Sequence, residues 1–246
     1  MFNWFLKKTY LVDSLGGFVD IHNHILPGID DGAETVEASI AMVKGFGEMG
    51  IQRFIATPHI LNPLYPNTPE TIGAAHQELG RGLMDHGLTQ VSVEAAAEHM
   101  IDDAFEDLLH AGQVMPLRKS YLLVEMSYLQ PSLNFDQAIT AITRKGLTPI
   151  LAHPERYAYL HQQPEKYREY RQQGILFQLN LLSLDGYYGR DVQKMAWRLI
   201  DEGHIDFLAS DAHGLRHLEA LSEIQLKPGE LQRIEPLIIQ TIDTFY

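Results

Sequence analysis

Seven short β-rich runs alternate with helix-like segments along the chain, and this alternation limits the possible folds more than any other feature. The runs occupy residues 18–21, 53–56, 91–95, 121–125, 148–152, 175–179 and 207–210. Helices are predicted between them and after them, at residues 34–49, 69–86, 135–145, 163–173, 191–202 and 228–245. Thr68 is placed as an N-cap before Pro69, and Gly146 and Gly174 follow two predicted helix ends. This order predicts βα units with parallel strands.

The composition narrows the class of protein. A chain of 246 residues with 45% hydrophobic content can bury one sizeable core, so we expect a single domain over residues 1–246. No apolar run reaches the roughly 18 residues of a transmembrane helix, and residues 1–6 are too short for a secretory signal, which favours the cytoplasm. The net charge of −13 makes nucleic acid a poor partner. The sequence does not indicate an oligomeric state.

The first residues are apolar and are followed by two lysines. Phe2, Trp4, Phe5 and Leu6 precede Lys7 and Lys8. So few apolar residues bind a membrane weakly. We therefore expect this segment to pack onto the barrel or onto a neighbouring subunit, and not to anchor the protein in a bilayer.

Polar residues with metal-binding side chains follow six of the seven runs. His22 and His24 are two residues apart, so in an extended chain both side chains point to the same side. The other candidates at strand ends are His59, Glu98, Glu125, His153, Asp211 and His213. In a parallel barrel these strand ends lie on one face, where such folds place their active sites. Imidazole and carboxylate ligands suit Zn²⁺, Mn²⁺ or Fe²⁺, and this number of ligands predicts several ions.

Three motifs resemble those of a known family. They are Asp-Ile-His-Asn-His-Ile-Leu-Pro-Gly-Ile-Asp-Asp-Gly at residues 20–32, Ala-His-Pro-Glu-Arg-Tyr at 152–157 and Ser-Asp-Ala-His at 210–213. They are similar to those of the polymerase and histidinol phosphatase (PHP) superfamily. More narrowly, they resemble the bacterial manganese-dependent protein-tyrosine phosphatases of capsule and exopolysaccharide synthesis. The resemblance extends from about Phe18 to about Leu221.

The resemblance implies an α/β fold, a distorted seven-stranded (β/α) barrel with a three-metal Mn²⁺ site at the C-terminal ends of the strands; Fe or Zn are also possible. Carried over by motif position, one ion would bind His22, His24, Glu98 and Asp211. A second would share Glu98 and bind Glu125 and His153. A third would bind Asp31, His59 and His213. Glu94 remains an alternative to Glu98, and Asp30 is expected to support the site and not to bind metal.

The absence of cysteine restricts the chemistry. A phosphatase without a thiol cannot form a cysteinyl-phosphate, so another nucleophile is required. A metal ion can supply one by lowering the pKa of a bound water. Arg156 follows His153 closely and could bind a phosphate through two hydrogen bonds. The structural alternative is an ion pair of Arg156 with Glu155 or another nearby acid. Arg216, close to His213, is a second and weaker candidate.

The leading functional hypothesis is a metal-dependent protein-tyrosine phosphatase. The resemblance implies that its substrate is a phosphotyrosine protein, a bacterial tyrosine kinase that controls polysaccharide export. One alternative is a small-molecule phosphatase such as histidinol phosphatase, and another is a catalytically silent metal-binding module. Loops 60–67 and 186–189 are predicted to flank the site and to offer Tyr65, Tyr187 and Tyr188 to an aromatic substrate. Asn180, at the end of the sixth run, could orient a water molecule or satisfy backbone groups.

Overall fold

A computed structural model describes residues 9–246, and in this part of the chain strands and helices alternate. The strands are β1 (Thr9–Tyr10), β2 (Val19–Asp20), β3 (Arg53–Ala56), β4 (His59–Ile60), β5 (Ser92–Ala95), β6 (Glu98–Met100), β7 (Tyr121–Glu125), β8 (Thr148–Ala152), β9 (Leu176–Asn180), β10 (Phe207–Ala209) and β11 (Gln225–Leu226). The helices are α1 (Val36–Glu48), α2 (Pro69–Asp85), α3 (Phe105–Ala111), α4 (Phe135–Arg144), α5 (Ala158–His161), α6 (Glu165–Gln172), α7 (Arg190–Asp201), α8 (Leu215–Ser222) and α9 (Pro228–Phe245). The predicted N-terminal apolar segment at residues 2–8 lies outside the described residues.

All seven predicted strands and all six predicted helices are confirmed, with small shifts at their ends. The predicted cap of α2 is present, because the Thr68 hydroxyl accepts a hydrogen bond from the Thr71 N–H and Pro69 is the first helical residue. Gly146 and Gly174 both follow helix ends with a left-handed backbone, at φ 76° and 83°. The sequence prediction missed helices α3, α5 and α8 and the short strands β1, β4, β6 and β11.

The strands form two parallel sheets and one small antiparallel pair. The larger sheet has the order β10-β9-β8-β7-β6-β4, and the smaller has the order β2-β3-β5. Strands β1 and β11 pair antiparallel at Thr9 and Leu226. Because the strands of the two larger sheets are parallel within each sheet, their C-terminal ends lie on the same side.

The predicted distorted seven-stranded barrel is not confirmed, because residues 9–246 contain no closed sheet. Two predicted strands are each followed by a break and a further short strand: Thr57-Pro58 separates β3 from β4, and residues 96–97 separate β5 from β6. These breaks divide the strands between the two sheets. On the other side, β2 and β10 are not paired as strands in residues 9–246. They are connected where Asn23 pairs with Ala212, where the Asp211 N–H donates to the His22 carbonyl at 2.8 Å, and where the Ser210 N–H donates to Asp20 Oδ1 at 2.9 Å.

Alternate residues of the strands point toward a shared interior. On β7, Leu122 and Val124 pack in the large core beneath the helices, whereas Leu123 belongs to a second buried cluster. This second cluster collects apolar side chains from β2, β3, β7, β8 and β10, and Phe245 of α9 packs against it. Glu125 has the same parity as Leu123, so its carboxylate points to the interior side at the C-terminal end of the strand. The fold therefore directs polar strand-end residues into a buried space.

Among residues 9–246, no helix is long and apolar enough to cross a membrane.

Candidate metal centre

The structure brings all nine sequence-predicted metal ligands into one cluster. His22 and His24 follow β2, Asp31 lies in the loop after them, His59 begins β4 and Glu98 begins β6. The remaining members are Glu125 at the end of β7, His153 directly after β8, and Asp211 and His213 after β10. Within the cluster, four overlapping groups bring their donor atoms within 4.8 Å of one another: His24-Asp31-His59-His213, His22-His24-Asp211, His22-Glu98-His153 and His59-Glu98-Glu125.

Glu98 lies at the middle of the cluster. Its Oε2 atom is 3.2 Å from His22 Nε2 and 3.0 Å from His59 Nδ1, and its Oε1 atom is 3.0 Å from His153 Nε2. Glu94, the alternative left open by the sequence, is outside the cluster and forms an ion pair with Arg118. The position of Glu98 between three imidazoles is that of a carboxylate able to bridge ions.

Several candidate ligand atoms in this centre are buried and lack a hydrogen-bond partner within the described structure. These atoms are His59 Nδ1, Glu98 Oε2 and Glu125 Oε1, and His59 Nδ1 is 3.0 Å from each of the two carboxylate oxygens. Buried polar atoms are normally satisfied, so unsatisfied ones need an explanation. Imidazole nitrogen and carboxylate oxygen are common ligands of Zn²⁺, Mn²⁺ and Fe²⁺. The residues present therefore fit a group of divalent metal ions.

The neighbouring histidines favour the ionised form of Glu98. Burial alone would raise the pKa of Glu98, but His22 and His59 outweigh this effect and hold the pKa well below its usual range. For His24, burial alone would lower the pKa, whereas Asp30 overcomes it and raises the pKa to about 10. A cation that binds His24 must displace this proton, so metal binding releases protons.

The side of the cluster formed by Asp31 and His213 faces solvent. The Asp31 side chain is half exposed, and its Oδ1 atom is 3.5 Å from both His59 Nε2 and His213 Nε2. His213 stacks on His24 with ring centroids 3.8 Å apart. In contrast, His22 and His24 are fully buried. Substrate therefore has access to the cluster from the side of Asp31 and His213.

The loop that carries Asp30 and Asp31 packs closely against His24 at Gly32. A Cβ at Gly32 would lie 2.1 Å from the His24 carbonyl oxygen, so only glycine fits there. The Gly32 N–H donates to Asp30 Oδ1 at 2.9 Å, and Asp30 Oδ2 accepts from His24 Nδ1 at 2.7 Å. Because Asp30 holds Nδ1, His24 presents Nε2 to the cluster. Asp30 thus supports a histidine of the site, as the sequence predicts.

A buried chain of amide hydrogen bonds connects His22 to Asp211, two members of the cluster. His22 Nδ1 donates to Gln178 Oε1 at 2.7 Å, and Gln178 Nε2 donates to Asn180 Oδ1 at 2.9 Å. Asn180 Nδ2 donates in turn to Asp211 Oδ2 at 2.7 Å. The sequence interpretation missed Gln178 and left Asn180 undecided. Both residues lie on β9, two residues apart, and the spacing rule applied to His22 and His24 would have placed them on one face.

Arg156 lies beside the cluster and pairs with Asp211. Its Nη1 atom donates to Asp211 Oδ2 at 2.7 Å. Its guanidinium lies over the rings of Tyr128 and Tyr188, at 4.6 and 4.1 Å from the ring centroids. The structural alternative of an ion pair is therefore present, but with Asp211. The neighbouring acid, Glu155, is buried and accepts hydrogen bonds from Ser183 Oγ and the Asn180 N–H.

Burial alone would lower the pKa of Arg156, but its neighbours Tyr128 and Asp211 hold the pKa above its usual value. Arg216 is exposed near the start of α8 and forms no ion pair with residues 9–246. It is therefore a weaker candidate than Arg156 for a contact with substrate.

Tyrosines surround the cluster, and the sequence identified three of the four. Tyr65 stacks on His59 with ring centroids 5.7 Å apart, and Tyr188 contacts Arg156. Tyr187 packs against His217, whose Nδ1 atom accepts from the His213 N–H. Tyr128 was missed: its hydroxyl is 3.3 Å from His153 Nε2, and its ring stacks on that histidine. It lies in an irregular loop after β7, where no periodic pattern indicates a side chain's direction.

The sequence match to a known family covers all of these residues. The family described as "Capsular polysaccharide synthesis, CpsB/CapC" matches residues 18–222. The chain belongs to the CpsB/CapC family. All nine candidate ligands, Arg156 and Arg216 lie within the matched region of this CpsB/CapC protein.

Individual relatives agree with this assignment. The tyrosine-protein phosphatase YwqE of Bacillus subtilis is 32% identical over 199 residues, which cover 80% of this chain and 78% of YwqE. The putative tyrosine-protein phosphatase CapC of Staphylococcus aureus is 30% identical over 80% of this chain and 77% of its own length. A crystal structure described as one of YwqE from B. subtilis and CpsB from Streptococcus pneumoniae, "unique metal-dependent tyrosine phosphatases", superimposes with a TM-score of 0.76 at 29% identity, over 91% of this chain and 94% of the other.

Proposed function

We propose that this CpsB/CapC protein is a metal-dependent protein-tyrosine phosphatase. The observation that supports it most is the buried cluster of nine histidine and carboxylate side chains beside Arg156, with unsatisfied donor atoms at its centre. The relatives named as tyrosine-protein phosphatases support the reaction class. The chain contains no cysteine, so a cysteinyl-phosphate route is excluded.

We assign three Mn²⁺ ions to the cluster as the family resemblance implies, with Fe or Zn as the alternatives. Bound ions would activate a water molecule and neutralise charge on the phosphoryl group. The ligand sets are His22, His24, Glu98 and Asp211 for one ion, Glu98, Glu125 and His153 for another, and Asp31, His59 and His213 for the third. In the structure, His59 Nδ1 is also 3.0 Å from Glu98 Oε2 and 3.0 Å from Glu125 Oε1, so the ligand sets of the second and third ions adjoin at His59.

Arg156 would bind the phosphate. Only its Nη1 atom donates a hydrogen bond to residues 9–246, which leaves Nε and Nη2 for phosphoryl oxygens. The rings of Tyr128 and Tyr188 and the carboxylate of Asp211 hold the guanidinium in place, so little side-chain entropy is lost when substrate binds. Arg216 would make at most an outer contact. Phenolate leaves readily, so phosphotyrosine needs no strong general acid in the chain.

The substrate that we propose is a phosphotyrosine protein, a bacterial tyrosine kinase that regulates capsule or exopolysaccharide synthesis. A kinase that uses ATP is phosphorylated in the cytoplasm, so the phosphatase would act there, as one domain spanning residues 1–246. Tyr65, Tyr128 and Tyr188 surround the cluster and offer aromatic contacts to a phenyl ring.

One comparison of substrates tests this proposal. Protein loaded with Mn²⁺ should hydrolyse a phosphotyrosine peptide and p-nitrophenyl phosphate, with little turnover of a phosphoserine peptide. Treatment with EDTA should abolish activity, and Mn²⁺ should restore it. If histidinol phosphate has a much higher kcat/KM than the phosphotyrosine peptide, the protein is a small-molecule phosphatase. Full activity in protein shown by elemental analysis to contain no metal would refute the metal-dependent mechanism.

A further inference from the structure

A groove of about 600 Å³ adjoins the candidate centre on the side of Tyr188. The Tyr188 ring contacts Arg156, with the guanidinium carbon 4.1 Å from the ring centroid. The same tyrosine lines the groove, together with residues of α5 and the first turns of α7. A chain bound with its phosphate at Arg156 could therefore continue into the groove past a single side chain.

The groove is basic, although the protein is strongly acidic. The described residues that line it include Arg190, Lys194 and Arg198, whereas Asp191 is the only acidic one. Arg198 is paired with Glu202, and Lys194 lies 3.3 Å from Asp191 in an exposed contact. Arg190 is exposed and forms no ion pair with residues 9–246. In a chain with a net charge of −13, this local excess of positive charge is unexpected.

Two other loops at the centre carry no charge. Residues 60–67, which contain Tyr65, are Ile-Leu-Asn-Pro-Leu-Tyr-Pro-Asn, and residues 127–134, which contain Tyr128, are Ser-Tyr-Leu-Gln-Pro-Ser-Leu-Asn. Neither loop can attract or repel a charged peptide by its own side chains. Of these three borders of the centre, only the groove beside Tyr188 carries charged side chains.

We propose that this groove binds acidic side chains that neighbour the phosphotyrosine in a polypeptide substrate. The inference rests on the proposed phosphatase function and adds a preference for the sequence around the phosphotyrosine. Arg190 and Lys194 supply the attraction, and Asp191 opposes it. Because all three side chains are exposed, their effect is a modest electrostatic one that salt should screen.

The test compares two phosphotyrosine peptides that differ only in charge. One carries three aspartates next to the phosphotyrosine, and the other carries three asparagines; p-nitrophenyl phosphate serves as a substrate too small to enter the groove. For the wild-type protein with Mn²⁺ at low salt, we expect kcat/KM to be about fivefold to twentyfold higher for the acidic peptide. The double variant Arg190→Glu, Lys194→Glu should lose or reverse this preference and keep its activity on p-nitrophenyl phosphate.

Two further variants serve as controls. Asp191→Asn removes the acid of the groove and should increase the preference for the acidic peptide. Arg144→Glu makes a charge reversal at an exposed site on α4, outside the groove, and should leave the preference unchanged. Equal kcat/KM values for both peptides in the wild type, or an unchanged preference in the double variant, would overturn the inference alone. Loss of all turnover, including that of p-nitrophenyl phosphate by the wild type, would overturn the proposed function and this inference with it.

Discussion

Replacing Gln178 by methionine tests whether the buried amide chain supports the metal centre. Gln178 is fully buried, accepts from His22 Nδ1 at 2.7 Å and donates to Asn180 Oδ1 at 2.9 Å. Methionine has a similar length and volume but forms neither hydrogen bond. The substitution therefore removes two polar contacts and nearly preserves the packing.

The magnitude follows from the atoms that lose their partners. In Gln178→Met, the His22 Nδ1–H and the Asn180 Oδ1 atom are buried without these hydrogen bonds, at a cost of about 1–3 kcal/mol each. Because the two losses share one network, we expect the free energy of unfolding of the metal-free protein to fall by about 2–4 kcal/mol. His22 also loses the contact that aims Nε2 at Glu98, so Mn²⁺ affinity should fall by about 10-fold to 100-fold.

Two measurements and a matched control separate these effects. Urea unfolding in EDTA gives the stability, and competition with a fluorescent chelator gives the Mn²⁺ affinity. The control is Gln193→Met on α7, which removes a single hydrogen bond to the Leu184 carbonyl at 2.9 Å, away from the cluster. It should lower stability by about 1 kcal/mol and leave Mn²⁺ affinity unchanged. Wild-type Mn²⁺ affinity in Gln178→Met, at a stability equal to that of the control, would refute the reasoning.

Three further predictions concern Arg156, the choice of acid and acid stability. Arg156→Ala should lower kcat/KM for p-nitrophenyl phosphate, with a loss of transition-state stabilisation of roughly 2–4 kcal/mol, and Arg156→Lys should lose less. The Mn²⁺ affinity of both variants should change little. Wild-type kinetics in the alanine variant would mean that the arginine has a structural role. Glu98→Gln should lose most Mn²⁺ binding in a chelator competition, whereas Glu94→Gln should bind normally and lose under about 1 kcal/mol of stability, because its ion pair with Arg118 is exposed. Burial lowers the pKa of His99 to about 4, so the unfolded chain binds a proton at a higher pH than the folded chain does. As pH falls from 6.5 to 4, the free energy of unfolding of the metal-free protein should therefore fall by about 3 kcal/mol through this residue. His99→Gln should show a smaller loss in urea unfolding over that range, and equal slopes would contradict the assignment.

The regular part of the fold could be predicted from the sequence because long elements carry a periodic pattern. The bounds of β3, β7 and β8 agree with the prediction residue by residue. Strands β4 and β6 were not predicted, since two or three residues are too few to show a period. The expectation of one seven-stranded barrel is not confirmed for the same reason. Each short strand continues a longer one past a break, at Thr57-Pro58 or at Ala96-Ala97, and pairs in the other sheet.

The candidate site was predictable where the residue type itself indicates a ligand. His22 and Asp211 were identified because histidine and aspartate bind metals and both follow strands. Gln178 is a neutral amide, and its role becomes visible only when the atoms that it joins are in place. Arg156 was identified, but its partner Asp211 was not, because the two residues are far apart in sequence. Their contact depends on the order of the strands, in which β9 lies between β8 and β10 and all three end on the same side.

The choice between Glu94 and Glu98 depends on which strand carries the acid. In one unbroken strand, residues four positions apart would point to the same face, but the break at Ala96-Ala97 places Glu94 on β5 and Glu98 at the start of β6. At about 3.3 Å per residue they are separated by up to about 13 Å along the chain. Parallel strands bring their carboxyl ends together, so only the later acid can reach His59. Glu94, on β5, is instead paired with Arg118, which also donates to the Phe245 carbonyl at 2.7 Å. Glu94 lies within the predicted strand at residues 91–95, whereas Glu98 follows its end. The position of Glu98 after the strand end therefore selects it from the sequence.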